Sequence, residues 1–337
     1  MANNGKLRFG VLGAANIARQ FVAGCAPSSD VEATAVASRE IGKAERFAKE
    51  VGVARALGSY EALLADPDID AIYNPLPNSL HAEWSIRAAE AGKHVLCEKP
   101  LAMDAGEARA MFAAADRNGV VLREAYPYLA QQQTAIMRRW IADGAIGKVR
   151  LVRATFSVFF EDPANIRLIP SLGGGALYDA GSYAVSLVRI AAGVRPARVQ
   201  ALAQYDGNGV DRTTLASMAF SDGAMAQISC SFATAFHRSA SIGGDKGVIE
   251  TNYLNHPPNS GPALLQIRRS VAIGAPLEPV AVPDGNGFRL EAESFARLVR
   301  GDAQGWTGAT PEESVDIAMM MDAIRASARD GGKMTEV

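Results

Sequence analysis

His94-Val95-Leu96-Cys97-Glu98-Lys99-Pro100 is a short apolar run bounded by Gly92 before it and Pro100 after it, with Glu98 and Lys99 at its far end. A run of this length between two breakers suits a strand buried on both faces of a parallel sheet better than a helix. Glu98 and Lys99 then stand at the carboxyl end of that strand, the edge along which open α/β sheets bind their ligands. Pro100 biases Lys99 toward an extended backbone and stops the strand from running on into a helix. A lysine held this way can donate a proton to a substrate oxygen. The alternative is a solvated Glu-Lys pair at a strand end.

Upstream, the same architecture repeats. Leu7 to Leu12 reads as a strand with a glycine-rich exit, Gly10-Val-Leu-Gly13-Ala14-Ala15-Asn16-Ile17-Ala18. In a dinucleotide fingerprint such small residues let the chain turn sharply, so that a pyrophosphate meets the free amides of the following helix. Ala15 and Ala18 replace the second and third glycines, and an ordinary strand-to-helix turn has the same outline. The next strand, Val31 to Ala37, ends in Ser38-Arg39 instead of the carboxylate that would bind a ribose 2′-hydroxyl. A hydroxyl, a guanidinium and, one turn later, Lys43 suit a 2′-phosphate, so the expected cofactor is NADP, with NAD the second choice. Arg39 as a solvated helix-start residue is the competing reading.

Alternation continues with a helix to about Glu50, a strand near Val53 to Leu57, a helix from Ser59 and a strand from Ala71 to Asn74. Pro75-Leu76-Pro77-Asn78-Ser79-Leu80-His81 follows, with Asn78 or Ser79 expected to cap the next helix and His81 in its first turn, facing the cofactor crevice. A helix from Asp104 to Asn118 and a strand from Val120 to Arg123 come after the lysine-bearing strand. Strands alternating with helices predict a Rossmann-type doubly wound parallel sheet.

From Val149 the apolar pattern changes from runs to alternation, at Val149 to Val158, Arg198 to Gln204, Thr213 to Phe220 and Ala224 to Phe232. That pattern predicts an α+β domain with an open, mainly antiparallel sheet whose bare face is an oligomer surface. Ser221-Asp222-Gly223 suits a tight hairpin, and helices are expected near Arg289 to Arg300 and Pro311 to Ala328. The expected domains are 1–124, which binds the dinucleotide, and 125–337, which binds substrate and oligomerises. Gly173-Gly174-Gly175-Ala-Leu-Tyr178-Asp179-Ala-Gly181-Ser-Tyr183 carries the second chemical signal, in a helix expected to reach Ile190. Asp179 and Tyr183, four apart on one helical face, could meet Lys99 across a cleft, and a nearby ammonium would favour the phenolate. Asp179 as a helix cap and Tyr183 as a core aromatic are the alternatives.

Composition narrows the field. The 337 residues are 48% hydrophobic and 21% charged, as in a soluble two-domain protein. With 34 basic against 36 acidic residues the net charge is -2, which provides no field for nucleic acid or a membrane surface. No apolar run approaches a membrane span. Cys25, Cys97 and Cys230 are sparse and not in metal-ligand spacing, and Met1 to Lys6 lacks the order of a signal peptide. The expected compartment is the cytoplasm.

Together these motifs resemble the Gfo/Idh/MocA family, named for glucose-fructose oxidoreductase, inositol dehydrogenase and rhizopine catabolism, over nearly the whole chain. Glu98-Lys99-Pro100 matches its Glu-Lys-Pro signature. Gly173 to Tyr183 matches its glycine-rich stretch in the tyrosine version, which is similar to dimeric dihydrodiol dehydrogenases, NADP-linked xylose dehydrogenases and ketosugar reductases. Glu124-Ala125 and Asn165-Ile166-Arg167 also look like that branch. The resemblance implies an NADP-dependent oxidoreductase transferring a hydride between its cofactor and a hydroxyl or carbonyl carbon of a small sugar or polyol. Trans-dihydrodiol dehydrogenase and an NAD-retaining glycosidase are the alternatives, and a homodimer or homotetramer through the C-terminal sheet is implied. It assigns proton transfer to Lys99 and Tyr183, orientation of the substrate hydroxyl to Asp179, and the nicotinamide end to Ile166 and Arg167. Gly13, Ala14, Ala15, Asn16, Ile17, Ser38, Arg39, Lys43, Pro75, Leu76, Asn78, His81 and Glu98 complete the expected cofactor set. After Glu124-Ala125 the branch commonly leads to His-Pro-Gln, whereas this chain reads Tyr126-Pro127-Tyr128-Leu129-Ala130-Gln131-Gln132.

Overall fold

A computed structural model describes residues 5–255 and 261–337; of the features read above, only part of the polar start, residues 1–4, lies outside them. The chain opens with β1 (Leu7–Leu12), α1 (Asn16–Cys25), β2 (Val31–Ala37), α2 (Ile41–Val51), β3 (Arg55–Leu57), α3 (Tyr60–Leu64), β4 (Ala71–Asn74), α4 (His81–Glu90), β5 (His94–Glu98), α5 (Ala105–Arg117) and β6 (Leu122–Ala125). The six strands pair in parallel in the order β3-β2-β1-β4-β5-β6, the Rossmann order with its reversal between β1 and β4. β1 and β4 are hydrophobic because both of their faces are covered, and they pair side by side at that reversal.

Local chemistry explains the helix ends. Ser59 accepts from the amide of Ala62 at α3, and Asp104 accepts from that of Glu107 at α5, while Glu107 reaches back to the Met103 amide. Gly52, in the left-handed region at φ 75°, closes α2. Two expectations shift. β6 starts two residues later than its apolar run, because Leu122 to Ala125, and not Val120, pair along β5; Cys97 faces Glu124 and Glu98 faces Ala125. Neither Asn78 nor Ser79 caps α4: a 3-10 turn, Asn78–Leu80, runs straight into it and Leu80 stands at the cap position without a side-chain bond.

The second half contributes α6 (Gln132–Ala142), β7 (Val149–Ser157), α7 (Ser182–Ala192), β8 (Arg198–Tyr205), β9 (Asp211–Ala219), β10 (Met225–Ser231), β11 (His237–Gly244), β12 (Val248–Thr251), β13 (Leu265–Arg268) and β14 (Glu278–Pro279). Then follow α8 (Gly287–Val299), α9 (Pro311–Arg329) and β15 (Thr335–Glu336). The sheet order is β14-β13-β12-β11-β7-β10-β9-β8-β15, antiparallel except where β10 runs parallel to β7. The hairpin between β9 and β10 turns at Gly223, φ 86°, with Asp222 accepting from the Ala224 amide. α7 covers one face of the sheet against β7 and β10. On the other face Leu202, Leu215 and Met225 are 63, 52 and 54% exposed.

The chain forms two compact units that no single cut separates: 1–130 with 286–311, and 131–285 with 312–337. Helix α8 thus belongs to the first unit, where Phe288, Ala292, Phe295 and Ala296 join Phe9, Phe21 and Tyr73 in one core. The returning helix also buries Glu291 at 1% exposure. Burial first, and then the nearby Glu98 and Glu124, push its carboxyl well above the usual range, against the Tyr126 backbone amide. A carboxyl raised on folding keeps its proton while the unfolded chain ionises above about pH 4.3, so it subtracts stability as pH rises toward its folded value. Glu291→Gln, neutral at every pH, should therefore gain on the wild type by up to about 1.4 kcal/mol per pH unit across that window. Melting curves at pH 5 and pH 8 check this, and a gap that fails to widen at the higher pH counts against it.

Candidate active site

The turn after β1 is built to leave amides open. Gly13 takes φ 83°, its amide donates to the Ala37 carbonyl at 2.8 Å, and a Cβ there would meet Leu76 Cδ2 at 3.1 Å. Ala15, at the cap position of α1, offers no side chain to the first-turn amides, and that turn carries no acidic residue. Ala14, Ala15 and Ile17 are half-buried and Asn16 is exposed. An uncapped helix start behind a left-handed glycine suits a phosphate group, even with Ala15 in the glycine position.

At the end of β2, Ser38 is buried and its hydroxyl accepts from the Glu40 amide at 3.4 Å, while Arg39 and Lys43 are exposed. The Arg39 guanidinium lies beside the Tyr60 phenol, whose pKa burial raises and Arg39 partly restores. Tyr60 in turn stands 3.6 Å from the position of a Gly13 Cβ. Arg39 thus lies, through Tyr60, next to the glycine turn, while Lys43 is exposed in the first turn of α2. The residues present fit a nicotinamide dinucleotide, with an uncapped helix start behind Gly13 open to its pyrophosphate.

Beyond β4, Asn74 shapes the Pro75-Leu76 loop: its Nδ2 donates to the His81 carbonyl (3.2 Å) and to Ser85 Oγ (3.0 Å), and its Oδ1 accepts from the Leu76 amide (3.3 Å). His81 is 1% exposed, and its ring nitrogens lie 2.8 Å from the Pro100 and Leu76 carbonyls. Burial holds its pKa down at about 4 although both carbonyls raise it. Neutral, the imidazole donates from only one of these nitrogens, and it lies between the loops that follow β4 and β5. The Lys99-Pro100 bond is cis. Lys99 is half-buried just past the last paired residue of β5, and the neighbouring Glu98 accepts from Tyr73 Oη at 2.6 Å. Tyr73 itself stacks on Phe21 at 3.8 Å, so the strand end is anchored to the core. Tyr126 and Tyr128, where the chain departs from the branch, are fully buried and meet edge to face at 6.0 Å.

In the second unit the three glycines approach the chain's own backbone. A Cβ on Gly174 would lie 2.6 Å from the Arg167 carbonyl, and the amides of Gly174 and Gly175 donate to the Ile169 and Arg167 carbonyls. The glycine stretch therefore fixes where Arg167 starts. Arg167 Nε donates to Asp179 Oδ2 at 2.8 Å and its guanidinium lies 5.1 Å above the Phe160 ring, while Ile166 is exposed. Asp179 sits in a π-helical turn, Leu177–Gly181, that precedes α7, in place of the regular helix start expected. Single π turns commonly mark functional positions because they re-aim side chains. Asp211, which sequence reasoning missed, holds this turn by accepting from the Leu177 amide and from Thr214 Oγ1, both at 2.8 Å.

Tyr183, one residue into α7, is buried, and its hydroxyl accepts from Asn255 Nδ2 at 3.0 Å. Arg238, also missed, lies 4.4 Å above its ring. The signal was present in the alternation of β11, where Arg238 shares the buried parity of Ala240 and Ile242.

A profile described as an oxidoreductase family with an NAD-binding Rossmann fold matches residues 7–126, and the GFO/IDH/MocA C-terminal domain matches residues 134–250. The chain is 37% identical over 332 residues to the D-xylose 1-dehydrogenase (NADP(+)) 2 of Haloferax volcanii, covering 96% of this chain and 98% of that one. It is 32% identical to the trans-1,2-dihydrobenzene-1,2-diol dehydrogenase of Danio rerio over 95% and 96% of the two chains. Among solved structures, the 3-ketoreductase KijD10 of Actinomadura kijaniata in complex with NADP and TDP-benzene superposes with a TM-score of 0.86 at 31% identity, over 96% and 98% of the chains. With both domain profiles matched in order and relatives aligned end to end, the chain belongs to the Gfo/Idh/MocA family of oxidoreductases.

Proposed function

We propose that this protein is an NADP-dependent oxidoreductase that interconverts a hydroxyl and a carbonyl on a carbon of a sugar or related polyol. The observation that carries the reading is Lys99, set just beyond the last paired residue of β5 on the carboxyl edge of a sheet with the Rossmann order. The NADP named for the Haloferax volcanii relative and held by KijD10 supports the same cofactor here. Trans-dihydrodiol oxidation is the second reading, favoured by the Danio rerio relative.

When bound, the cofactor accepts or supplies the hydride. The side chains manage the proton. In the oxidising direction Tyr183 takes the proton of the substrate hydroxyl, and in the reducing direction it returns it. Lys99 donates a hydrogen bond to the substrate oxygen. Asp179, its charge balanced by Arg167, orients the hydroxyl, and Arg167 with Ile166 flanks the nicotinamide end. Asn78, Pro75, Leu76 and Glu98 complete the groove. The open face bearing Leu202, Leu215 and Met225 is the expected seam of a homodimer or homotetramer. Three buried cysteines, none bridged, suit the cytoplasm, and among the described residues no helix is long and apolar enough to cross a membrane.

Turnover with NADP+ and NADPH against aldoses, ketosugars and diols tests the assignment; turnover of the diols alone would move it to the second reading, and inertness toward all three classes would end it. Lys99→Met should cut kcat about a hundred- to ten-thousand-fold while leaving NADPH affinity within about twofold in a fluorescence titration. Arg39→Ala should weaken NADPH about 10- to 100-fold and NADH hardly at all, since only NADPH has the phosphate that a charge-assisted bond would hold. Equal losses for both cofactors would place Arg39 outside the phosphate site.

A further inference from the structure

Arg238 is 7% exposed on the covered face of β11. A cation taken out of water there is costly unless the surroundings repay it. Three rings do so: the guanidinium carbon lies 4.4 Å from the centroids of Tyr183 and Tyr253 and 4.6 Å from that of Phe156. Its Nη1 donates to Asn255 Oδ1 at 3.3 Å, and Asn255 Nδ2 donates to the Tyr183 hydroxyl at 3.0 Å.

The order of these bonds has a chemical consequence. A guanidinium only donates, so the amide of Asn255 must turn its oxygen to Arg238 and its NH2 to the phenol. Tyr183 oxygen is thereby an acceptor toward Asn255, and its own proton points elsewhere. Removing that proton leaves an anion already facing an amide donor, on a ring with a cation against its face.

We propose that Arg238 is a positioning residue for the Tyr183 hydroxyl, acting through Asn255 and through contact with the ring so that the phenol gives and takes its proton readily. The proposal rests on the reading of Tyr183 as the proton-exchanging group. Of the other ionisable groups in this unit, Tyr253 lies against the pair, Cys230 beside Tyr253, and Asp179, bonded to Arg167, and Asp211 beside Cys230. Burial pushes Tyr253 and Cys230 up, so both stay neutral, and Arg167 offsets Asp179. Lys99 is the remaining cation of the proposed reaction. Within this unit Arg238 is a cation that bears directly on the Tyr183 ring.

The test uses the full-length protein and two readouts. Phenolate absorbance, recorded as a difference titration against Tyr183→Phe, reports ionisation of Tyr183 without turnover. The pH profile of kcat/KM in the oxidising direction reports the same group at work. Arg238→Met should move both to higher pH by about one unit and leave NADPH affinity unchanged. Arg238→Lys, which keeps the charge but not the flat fork, should restore most of the ionisation and only part of kcat. Asn255→Ala removes the amide relay, and with it one acceptor of Arg238, while the guanidinium stays against the rings; it should shift ionisation in the same direction, so a poorly folding Arg238→Met does not shelter the idea. Unmoved titration curves in Arg238→Met, or in Asn255→Ala where the first variant fails to fold, overturn the proposal whatever happens to kcat. Full turnover by Tyr183→Phe would instead sink the assignment of Tyr183, and the titration would still judge Arg238.

Discussion

Hydrogen bonding of β5 on both edges, to β4 and to β6, is the constraint from which the rest of the nucleotide-binding half follows. A strand paired on both sides and covered on both faces favours apolar residues along its middle, so its polar chemistry gathers at the end where pairing stops. Glu98 and Lys99 are those residues. The groups around them serve to hold that end still: Tyr73 bonds Glu98, His81 lies between the loops that follow β4 and β5, and Glu124 accepts from the Leu101 amide just beyond. A proton donor is useful only if its position is set by more than its own side chain, and here the backbone, a phenol and an imidazole share that task.

The second unit solves the same problem by other means. Its glycines are required because their Cβ positions are filled by the chain's own atoms. Gly181 would meet Cys230 Sγ and Gly175 would meet Asp211. Close backbone approach lets the loop from Arg167 to Asp179 fold on itself, and the π turn then displaces the register of α7 so that Tyr183 lies among Phe156, Tyr253 and Arg238. An aromatic pocket with a buried cation and one amide relay sets both the tilt and the polarity of a phenol.

Legibility in the sequence followed the range of the physics. β1, β2 and β4 appear at the residues where their apolar runs place them, since burial on both faces writes itself into consecutive positions. β6 slipped because Glu124, a charged residue buried at 1% exposure, looks like the end of a strand and is part of one. The glycine turn after β1 was readable, because adjacent residues form it. Arg238, Asn255 and Asp211 were not singled out, as each acts on a partner dozens of positions away. His81 was noticed for its place in the chain, yet its role depends on two carbonyls that only the folded loops bring to it.

The return of α8 to the first unit carries a consequence for how this protein is made. Synthesis delivers Phe9, Phe21 and Tyr73 long before Phe288 and Phe295, which complete their core. A nascent chain emerging from the ribosome therefore holds its opening half unfinished, with an oily groove waiting, until nearly all of the second unit has been translated. The earliest residues are among the last to be sealed, and the second unit in turn closes only when α9 and β15 arrive.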